Sequence, residues 1–257
     1  MYFYFYDNFT SEKKYENILN KVENRLIELG INGRIEKLTV LKNMKELIAD
    51  GIKNGAHTVV AVGDDKTLVK TINILANYKD ILVGFIPLKE NSVFKDMIGI
   101  GDVVEACDIV SKRLAKVIDL GRANQNFFIG SVEIPNANNV KIECDSKYRV
   151  SSTNPEFSLS IKNIGNLFHG DDFKEYDSRD GLLDVVITPP NYRGLKRMMK
   201  TKSHEQETIF RAKKMRITSE NESVPVILDE EITLKTPINI EIKPKKIRLI
   251  VGRNRKI

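Results

Sequence analysis

Residues 58–68 read TVVAVGDDKTL, and this stretch decides the predicted fold. Thr58 to Val62 is a nearly continuous apolar run rich in β-branched residues, which is typical of a parallel strand buried on both faces. The next segment places Leu68, Ile72 and Leu75 on one helix face. The turn between them therefore lies at the carboxyl end of a parallel strand, where open α/β sheets bind ligands.

The same alternation extends on both sides of this stretch. Strand patterns at 2–6, 34–38 and 81–87 alternate with helix patterns that end near Gly30, Asn54-Gly55 and Leu114. Strand and helix in this order predict a three-layer, doubly wound parallel sheet with right-handed crossovers. We place this α/β domain at residues 1–118.

The pattern changes after about Lys116. Short alternating strands separated by Asn, Pro, Gly and Asp turns predict an antiparallel, sandwich-like domain at residues 119–257, whose last strand is free to return to the first domain. Only Tyr192 to Lys202 has a helical pattern there. A ligand cleft is expected between the two domains.

The composition limits the function classes. The 257 residues are 41% hydrophobic and 30% charged, as in an ordinary globular protein. Two cysteines, Cys107 and Cys144, are too few for a disulfide framework and favour a reducing, cytoplasmic setting. No window reaches the ~18 apolar residues of a transmembrane helix, and the N-terminal MYFYFYDNF lacks a signal-peptide pattern.

The net charge of +6 is concentrated toward the C-terminus. Residues 193–216 carry nine Lys or Arg and two Glu, and residues 243–257 carry seven basic residues and no acidic ones. This excess favours an anionic partner, with a solvated basic face as the alternative. Few aromatic residues alternate with these cations, so we expect no nucleic acid partner.

The GDDKT turn admits more than one chemistry. Helix N-terminal amides favour phosphate there, and Gly63 lets the backbone approach an anion. Asp64 and Asp65 repel a bare phosphate but suit Mg²⁺, and Lys66 offsets their charge. The alternative is that Asp65 or Thr67 only caps the helix. A receiver domain is disfavoured, because its acidic pair follows the first strand and this pair follows the third.

Together with neighbouring motifs, the turn resembles the catalytic domain of the diacylglycerol kinase, sphingosine kinase and bacterial lipid kinase family. That family has G-G-D-G-T where this chain has Gly63-Asp64-Asp65-Lys66-Thr67. Its next motif, I-P-L-G-T-x-N-D-F, corresponds to IPLKENSVF at 86–94, and its L-G-I corresponds to IGI at 98–100.

Further motifs follow in the family's order through nearly the whole chain. They are DLG at 119–121, FFIG at 127–130, DGLLDV at 180–185 and DEE at 229–231, where the family has D-G-E. Each motif is weak alone, but the ordered set is fairly specific for the fold.

The resemblance implies ATP-dependent phosphorylation of a lipid hydroxyl. It makes Gly63, Asp64, Asp65, Lys66 and Thr67 the phosphate loop, with Asp65 acting through Mg²⁺ and Thr39 as a further nucleotide contact. The general base would come from Asp229 and Glu231, since phosphoryl transfer needs a carboxylate near the attacking hydroxyl. Asp180 and the Leu182 carbonyl would hold a structural metal.

The implied partner is a lipid substrate or an anionic membrane surface, so peripheral association with the inner membrane face is an expectation. A homodimer is left open.

The sequence departs from the family mainly around the nucleotide. Two loop glycines are Asp64 and Lys66, and the next motif has Lys89 and Glu90 for glycine and threonine and Ser92 for asparagine. Three hypotheses follow. The chain is a lipid kinase, a catalytically inactive pseudokinase that binds a lipid, nucleotide or protein partner, or an unrelated α/β protein with a Mg²⁺-dependent phosphate ligand.

Overall fold

The structure is a computed structural model that describes residues 1–39, 43–137, 139–151, 157–164, 179–188, 208–220 and 222–257. These residues fall into two compact units. The first contains residues up to 118 and the C-terminal residues 245–257, and the second contains the described residues from 119 to 244.

The first half of the chain alternates strands and helices. The elements are β1 (Tyr2–Tyr6), α1 (Glu16–Glu28), β2 (Arg34–Lys37), α2 (Met44–Lys53), β3 (Thr58–Gly63), α3 (Asp65–Leu75), β4 (Leu82–Pro87), α4 (Val93–Ile98) and α5 (Val103–Lys112). Two short 3₁₀ turns, Asn8–Ser11 and Lys13–Tyr15, separate β1 from α1. None of the helices in the described residues is long and apolar enough to cross a membrane.

The strands of the first unit form a parallel sheet in the order β2-β1-β3-β4. All six residues of β3 are buried, as expected for a strand covered on both faces. Backbone hydrogen bonds continue past the strand ends, from Asp7 N–H to the Val62 carbonyl and from Leu88 N–H to the Gly63 carbonyl. The residues that follow β1, β3 and β4 therefore lie at one edge of the sheet.

Helices cover both faces of this sheet. Alternate residues of β1 point to opposite faces, and the Phe3 ring lies against Gly51 of α2. On the other face, α1 packs on α5, where Arg25 Nε and Nη2 lie 3.0 and 2.7 Å from Asp108 Oδ1. The unit is thus the three-layer α/β arrangement that the sequence predicts.

The rest of the chain is built from strands. They are β5 (Ala115–Ala123), β6 (Asn126–Phe128), β7 (Ser131–Ile134), β8 (Val140–Cys144), β9 (Tyr148–Ser151), β10 (Ser158–Lys162), β11 (Leu183–Thr188), β12 (Thr208–Ala212), β13 (Lys214–Ser219), β14 (Pro225–Leu228), β15 (Ile232–Lys235) and β16 (Ile238–Ile250). The C-terminal end of β16 belongs to the first unit, where Arg248 and Leu249 pair in parallel with Leu82 and Val83 of β4.

The second unit is an antiparallel sandwich. One sheet has the order β12-β11-β10-β7-β14-β15, and the other contains β9-β8-β13-β16. Every second residue of these strands faces the core, as the alternating pattern predicts. Core residues come from both sheets, among them Val132, Leu159, Val185, Ile142, Ile217 and Ile240.

The predicted fold class is confirmed for a parallel-sheet α/β domain followed by an antiparallel β domain. The strands differ from the short alternating runs of the sequence in two places. The pattern NFFIGSVEI contains two strands, β6 and β7, because the chain turns between them, and PINIEIK and IRLIVG form the single strand β16. The helix predicted at 192–202 and most of the basic segment 193–216 lie outside the described residues.

Candidate functional site

The residue that caps α3 is Asp64, at the end of β3. Its backbone is extended, with φ −110° and ψ −175°, and its Oδ1 accepts the Thr67 N–H at 3.2 Å. In return the Thr67 hydroxyl accepts the Asp64 N–H at 3.2 Å, which completes a capping box. The sequence offers Asp65 or Thr67 as the cap, but the cap is Asp64. Its backbone is extended, and its carboxylate faces the third amide of the helix.

The second oxygen of Asp64 forms an ion pair with Lys89, in the turn after β4. The Lys89 Nζ lies 2.6 Å from Asp64 Oδ2 and 5.0 Å from the centre of the Phe9 ring. Burial alone would raise the pKa of Asp64, but hydrogen bonds from Lys89 and Thr67 outweigh it and lower this pKa. The hydrogen bond to Asp64 raises the pKa of Lys89. Both groups are therefore charged at neutral pH.

Asp65 binds the start of the short helix α4. Its Oδ1 accepts a hydrogen bond from the Ser92 hydroxyl, and its Oδ2 accepts the Val93 N–H at 2.9 Å. The Ser92 Oγ also caps α4 by accepting the Lys95 N–H at 3.0 Å. Burial raises the pKa of Asp65 against the opposing effect of these hydrogen bonds. The carboxylate thus stabilises the chain after β4.

In this arrangement a Mg²⁺ ion would compete with protein donors for the acidic pair. All four carboxylate oxygens of Asp64 and Asp65 accept hydrogen bonds from protein donors. A cation at Asp64 would have to displace the Lys89 ammonium, and Mg²⁺ requires nearly ideal octahedral geometry at 2.0–2.1 Å from its oxygen ligands. In the described residues, no group of three His, Cys, Asp or Glu side chains is placed to hold a metal ion.

The other predicted nucleotide contacts lie at the same sheet edge. Gly63 ends β3, and a Cβ there would collide with the Thr67 side chain. Lys66 is exposed on the first turn of α3, and Thr39 is exposed two residues after β2. The structure therefore brings Thr39 and residues 63–67 to one edge.

Two residues that the sequence prediction missed also belong to this edge. Asp7, directly after β1, places Oδ2 2.7 Å from the Thr67 hydroxyl, and Phe9 lies under Lys89. Both belong to the segment YDNFTSEK, residues 6–13. An acidic residue directly after a strand was the signal for Asp7.

Asp229 is buried in the second unit and anchors the turn between β6 and β7. Its side chain is only 8% exposed and accepts the N–H groups of Ile129, Gly130 and Ser131 at 2.8, 2.8 and 2.9 Å. Both Asp229 and Glu230 have positive φ, which forms the tight turn between β14 and β15. Glu231 follows, with its N–H bound to the Leu228 carbonyl at 2.9 Å.

A buried asparagine links the motifs of this unit. Asn163 donates from Nδ2 to the carbonyl groups of Asp119 and Ile129, at 3.0 and 2.9 Å. Asp119 in turn accepts the Gly181 N–H at 3.0 Å. The DLG, DGLLDV and DEE motifs therefore share one hydrogen-bond network, in which Asn163 was not predicted because a lone Asn in KNI carries no pattern.

The predicted metal ligands Asp180 and Leu182 lie together, but beside a cation of the protein. Asp180 Oδ1 accepts the Leu182 N–H at 2.9 Å, and Asp180 Oδ2 lies 3.9 Å from Arg211 Nη1. Arg211 also pairs with Asp184, Nε to Oδ1 at 2.9 Å. A guanidinium thus supplies positive charge next to this carboxylate.

Comparison with known proteins finds a family model that matches the first part of the chain. Residues 2–123 match the model of the diacylglycerol kinase catalytic domain. The matched segment, 122 of the 257 residues, is similar to this family's catalytic domain. Among curated proteins, none matches the sequence significantly. The match covers the parallel sheet and the edge that carries Asp64 and Lys89.

Solved structures share the fold over nearly the whole length. A crystal structure of a diacylglycerol kinase from Bacillus anthracis str. Sterne has a TM-score of 0.77 and 18% identity, and the match covers 98% of this chain and 97% of that one. An NAD kinase from Archaeoglobus fulgidus in complex with ATP has a TM-score of 0.62 and 14% identity, covering 99% and 95%. At these identities the likeness concerns the fold alone.

Proposed function

We propose that this chain is a non-catalytic relative of the diacylglycerol kinases that binds an anionic lipid surface and neither binds ATP with Mg²⁺ nor transfers its phosphate. The observation that supports this proposal is the occupancy of the acidic pair. Asp64 caps α3 and pairs with Lys89, and Asp65 accepts hydrogen bonds from the Ser92 hydroxyl and the Val93 N–H. A metal–nucleotide would have to compete with these protein donors for both carboxylates.

The acidic residues that match the family have structural roles in this fold. Asp65 holds α4, Asp229 holds three buried amides, and Asp180 binds a backbone amide beside Arg211. Gly63 leaves room for the Thr67 side chain. Their presence is therefore explained by stability alone, without a catalytic role.

The lipid surface is proposed from charge. Residues 243–257 are described throughout and contain seven Lys or Arg and no acidic residue. Clustered basic residues are attracted to anionic lipids by ~1 kcal/mol each near the surface. The similarity of residues 2–123 to a lipid kinase catalytic domain makes a lipid the preferred anionic partner.

Calorimetric titration with ATP and Mg²⁺ tests the loss of nucleotide binding. We expect no heat of binding at about millimolar ATP, a concentration that saturates sites with micromolar Kd. Tight binding of ATP together with Mg²⁺ would disprove the proposal.

A second candidate is the family reaction itself, phosphorylation of a lipid hydroxyl by ATP. It is favoured by the turn that carries Asp229 and Glu231, which keeps both carboxylates of the family's motif. Transfer of labelled γ-phosphate to a lipid hydroxyl, abolished by Glu231→Gln, would establish it. No transfer to diacylglycerol or to other lipid alcohols in mixed micelles would leave the non-catalytic proposal.

A further inference from the structure

The start of α3 already holds an anion, and that anion belongs to the protein. The Asp64 carboxylate lies at the N-terminus of an 11-residue helix, where the helix dipole and the first amides favour negative charge. It receives the Thr67 N–H on one oxygen and the Lys89 ammonium on the other, at 3.2 and 2.6 Å. A bound phosphate oxyanion would use the same kinds of donor.

We infer that the Asp64 carboxylate is an intramolecular substitute for a phosphate oxyanion, with Lys89 as its counter-ion. The inference rests on the proposed function, and it names the residues that exclude a phosphate-bearing ligand. The Asp64 side chain is 18% exposed, and it both fills the space next to the amide and repels a second anion. The two residues are departures from the family at different motifs, and they compensate each other in charge.

Removing the carboxylate is expected to open a phosphate site. Asp64→Gly leaves the Thr67 N–H and the Lys89 ammonium facing the space that the side chain filled. Glycine is also a tolerated N-cap residue, so the helix is kept. Asp7 and Asp65 remain nearby and weaken the attraction, so we expect affinity for inorganic phosphate on the order of millimolar.

Thermal unfolding with inorganic phosphate as the probe tests the inference. The Asp64→Gly variant should unfold at a lower temperature than the wild type, and phosphate in excess of its Kd should raise its midpoint by about 2 to 4 °C. Because phosphate stabilises folded proteins in general, the wild type at equal ionic strength supplies the baseline, and its midpoint should rise less than that of the variant. The double variant Asp64→Gly/Lys89→Gln should lose the response, because the ammonium is gone.

Asp64→Asn is the matched variant, since asparagine keeps the cap and removes the charge. It should fold like the wild type and show a phosphate response between those of the wild type and Asp64→Gly. If Asp64→Gly does not fold, a response of Asp64→Asn above the wild type supports the inference, and an equal response contradicts it.

The failure of this inference differs from that of the proposed function. A folded Asp64→Gly that ignores phosphate overturns the inference while the wild type still lacks ATP binding. Binding of ATP and Mg²⁺ by the wild type overturns the proposed function.

Discussion

The ion pair between Asp64 and Lys89 predicts a definite pH dependence. A lowered pKa of Asp64 stabilises the fold above the usual pKa of about 3.9, and this contribution is lost as the pH falls through the folded-state value. A raised pKa of Lys89 stabilises the fold below the usual lysine pKa of about 10.4. This contribution is lost as the pH rises through the folded-state value. The contribution of the pair is therefore largest between about pH 4 and 10.

Lys89→Met should lower the free energy of unfolding at pH 7 by less than about 1 kcal/mol, because Lys89 is 48% exposed and solvent screens the pair. Urea unfolding of both proteins should show this difference shrinking at pH 3 and in 1 M salt. Lys70→Met, an exposed lysine later in α3, serves as the control and should show no such pH-dependent difference. A Lys89→Met effect that is the same at pH 3 and pH 7 would rule out the ion pair as its origin.

The Asp229 carboxylate predicts a large effect on stability. Asp229→Ala leaves the buried N–H groups of Ile129, Gly130 and Ser131 without their acceptor. Each unpaired buried donor costs about 1–3 kcal/mol, so we expect the free energy of unfolding to fall by about 3–5 kcal/mol. Urea unfolding followed by far-ultraviolet circular dichroism measures the change.

The neighbouring Glu231 provides the comparison for Asp229. Glu231→Ala removes a half-buried carboxylate from the same turn and should change the free energy of unfolding by less than about 1 kcal/mol. Equal losses for the two alanine variants would mean that the three amides do not depend on Asp229.

The pairing of β5 with β6 requires a glycine at position 121. Gly121 is paired with Phe128 across the strands, and a Cβ at Gly121 would collide with the buried Phe128 ring. Gly121 does not have positive φ, so the expected penalty is steric only. Gly121→Ala should lower the free energy of unfolding by about 2–3 kcal/mol.

A double-mutant cycle checks this explanation. In Gly121→Ala/Phe128→Leu the smaller side chain leaves room for the added methyl group. The double variant should therefore lose less free energy of unfolding than the two single variants lose together. Strict additivity would exclude contact between the alanine and the ring.

The elements themselves were largely predictable from periodicity. The pattern TVVAV predicted β3, because a strand buried on both faces has a continuous apolar run. Leu68, Ile72 and Leu75 predicted α3, because a helix buried on one face has apolar residues three or four positions apart. The break between β6 and β7 was not predictable. It depends on Asp229, about 100 residues later in the chain, and such contacts leave no local pattern.

The candidate site was predictable only in part, for the same reason. Position relative to the strands placed residues 63–67 and Thr39 at one sheet edge. The partners of the acidic pair, Lys89 and Ser92, come from the next βα turn, 25 and 27 residues away. Charge compensation between two motifs becomes visible only when the parallel strands bring their carboxyl ends together.

For the whole molecule, the excess of positive charge predicts binding to anionic vesicles. Residues 243–257 carry seven of the basic residues, and Arg253 and Lys256 are exposed. The protein should co-sediment with vesicles of phosphatidylserine and phosphatidylcholine, and less with phosphatidylcholine alone or at high salt. Arg253→Glu/Lys256→Glu should weaken this binding at least tenfold, since each cation contributes about 1 kcal/mol.

Lys21→Glu/Lys70→Glu changes the net charge equally at exposed positions of α1 and α3. It should weaken binding much less, and equal losses for the two double variants would show that net charge, rather than the C-terminal basic residues, governs the association.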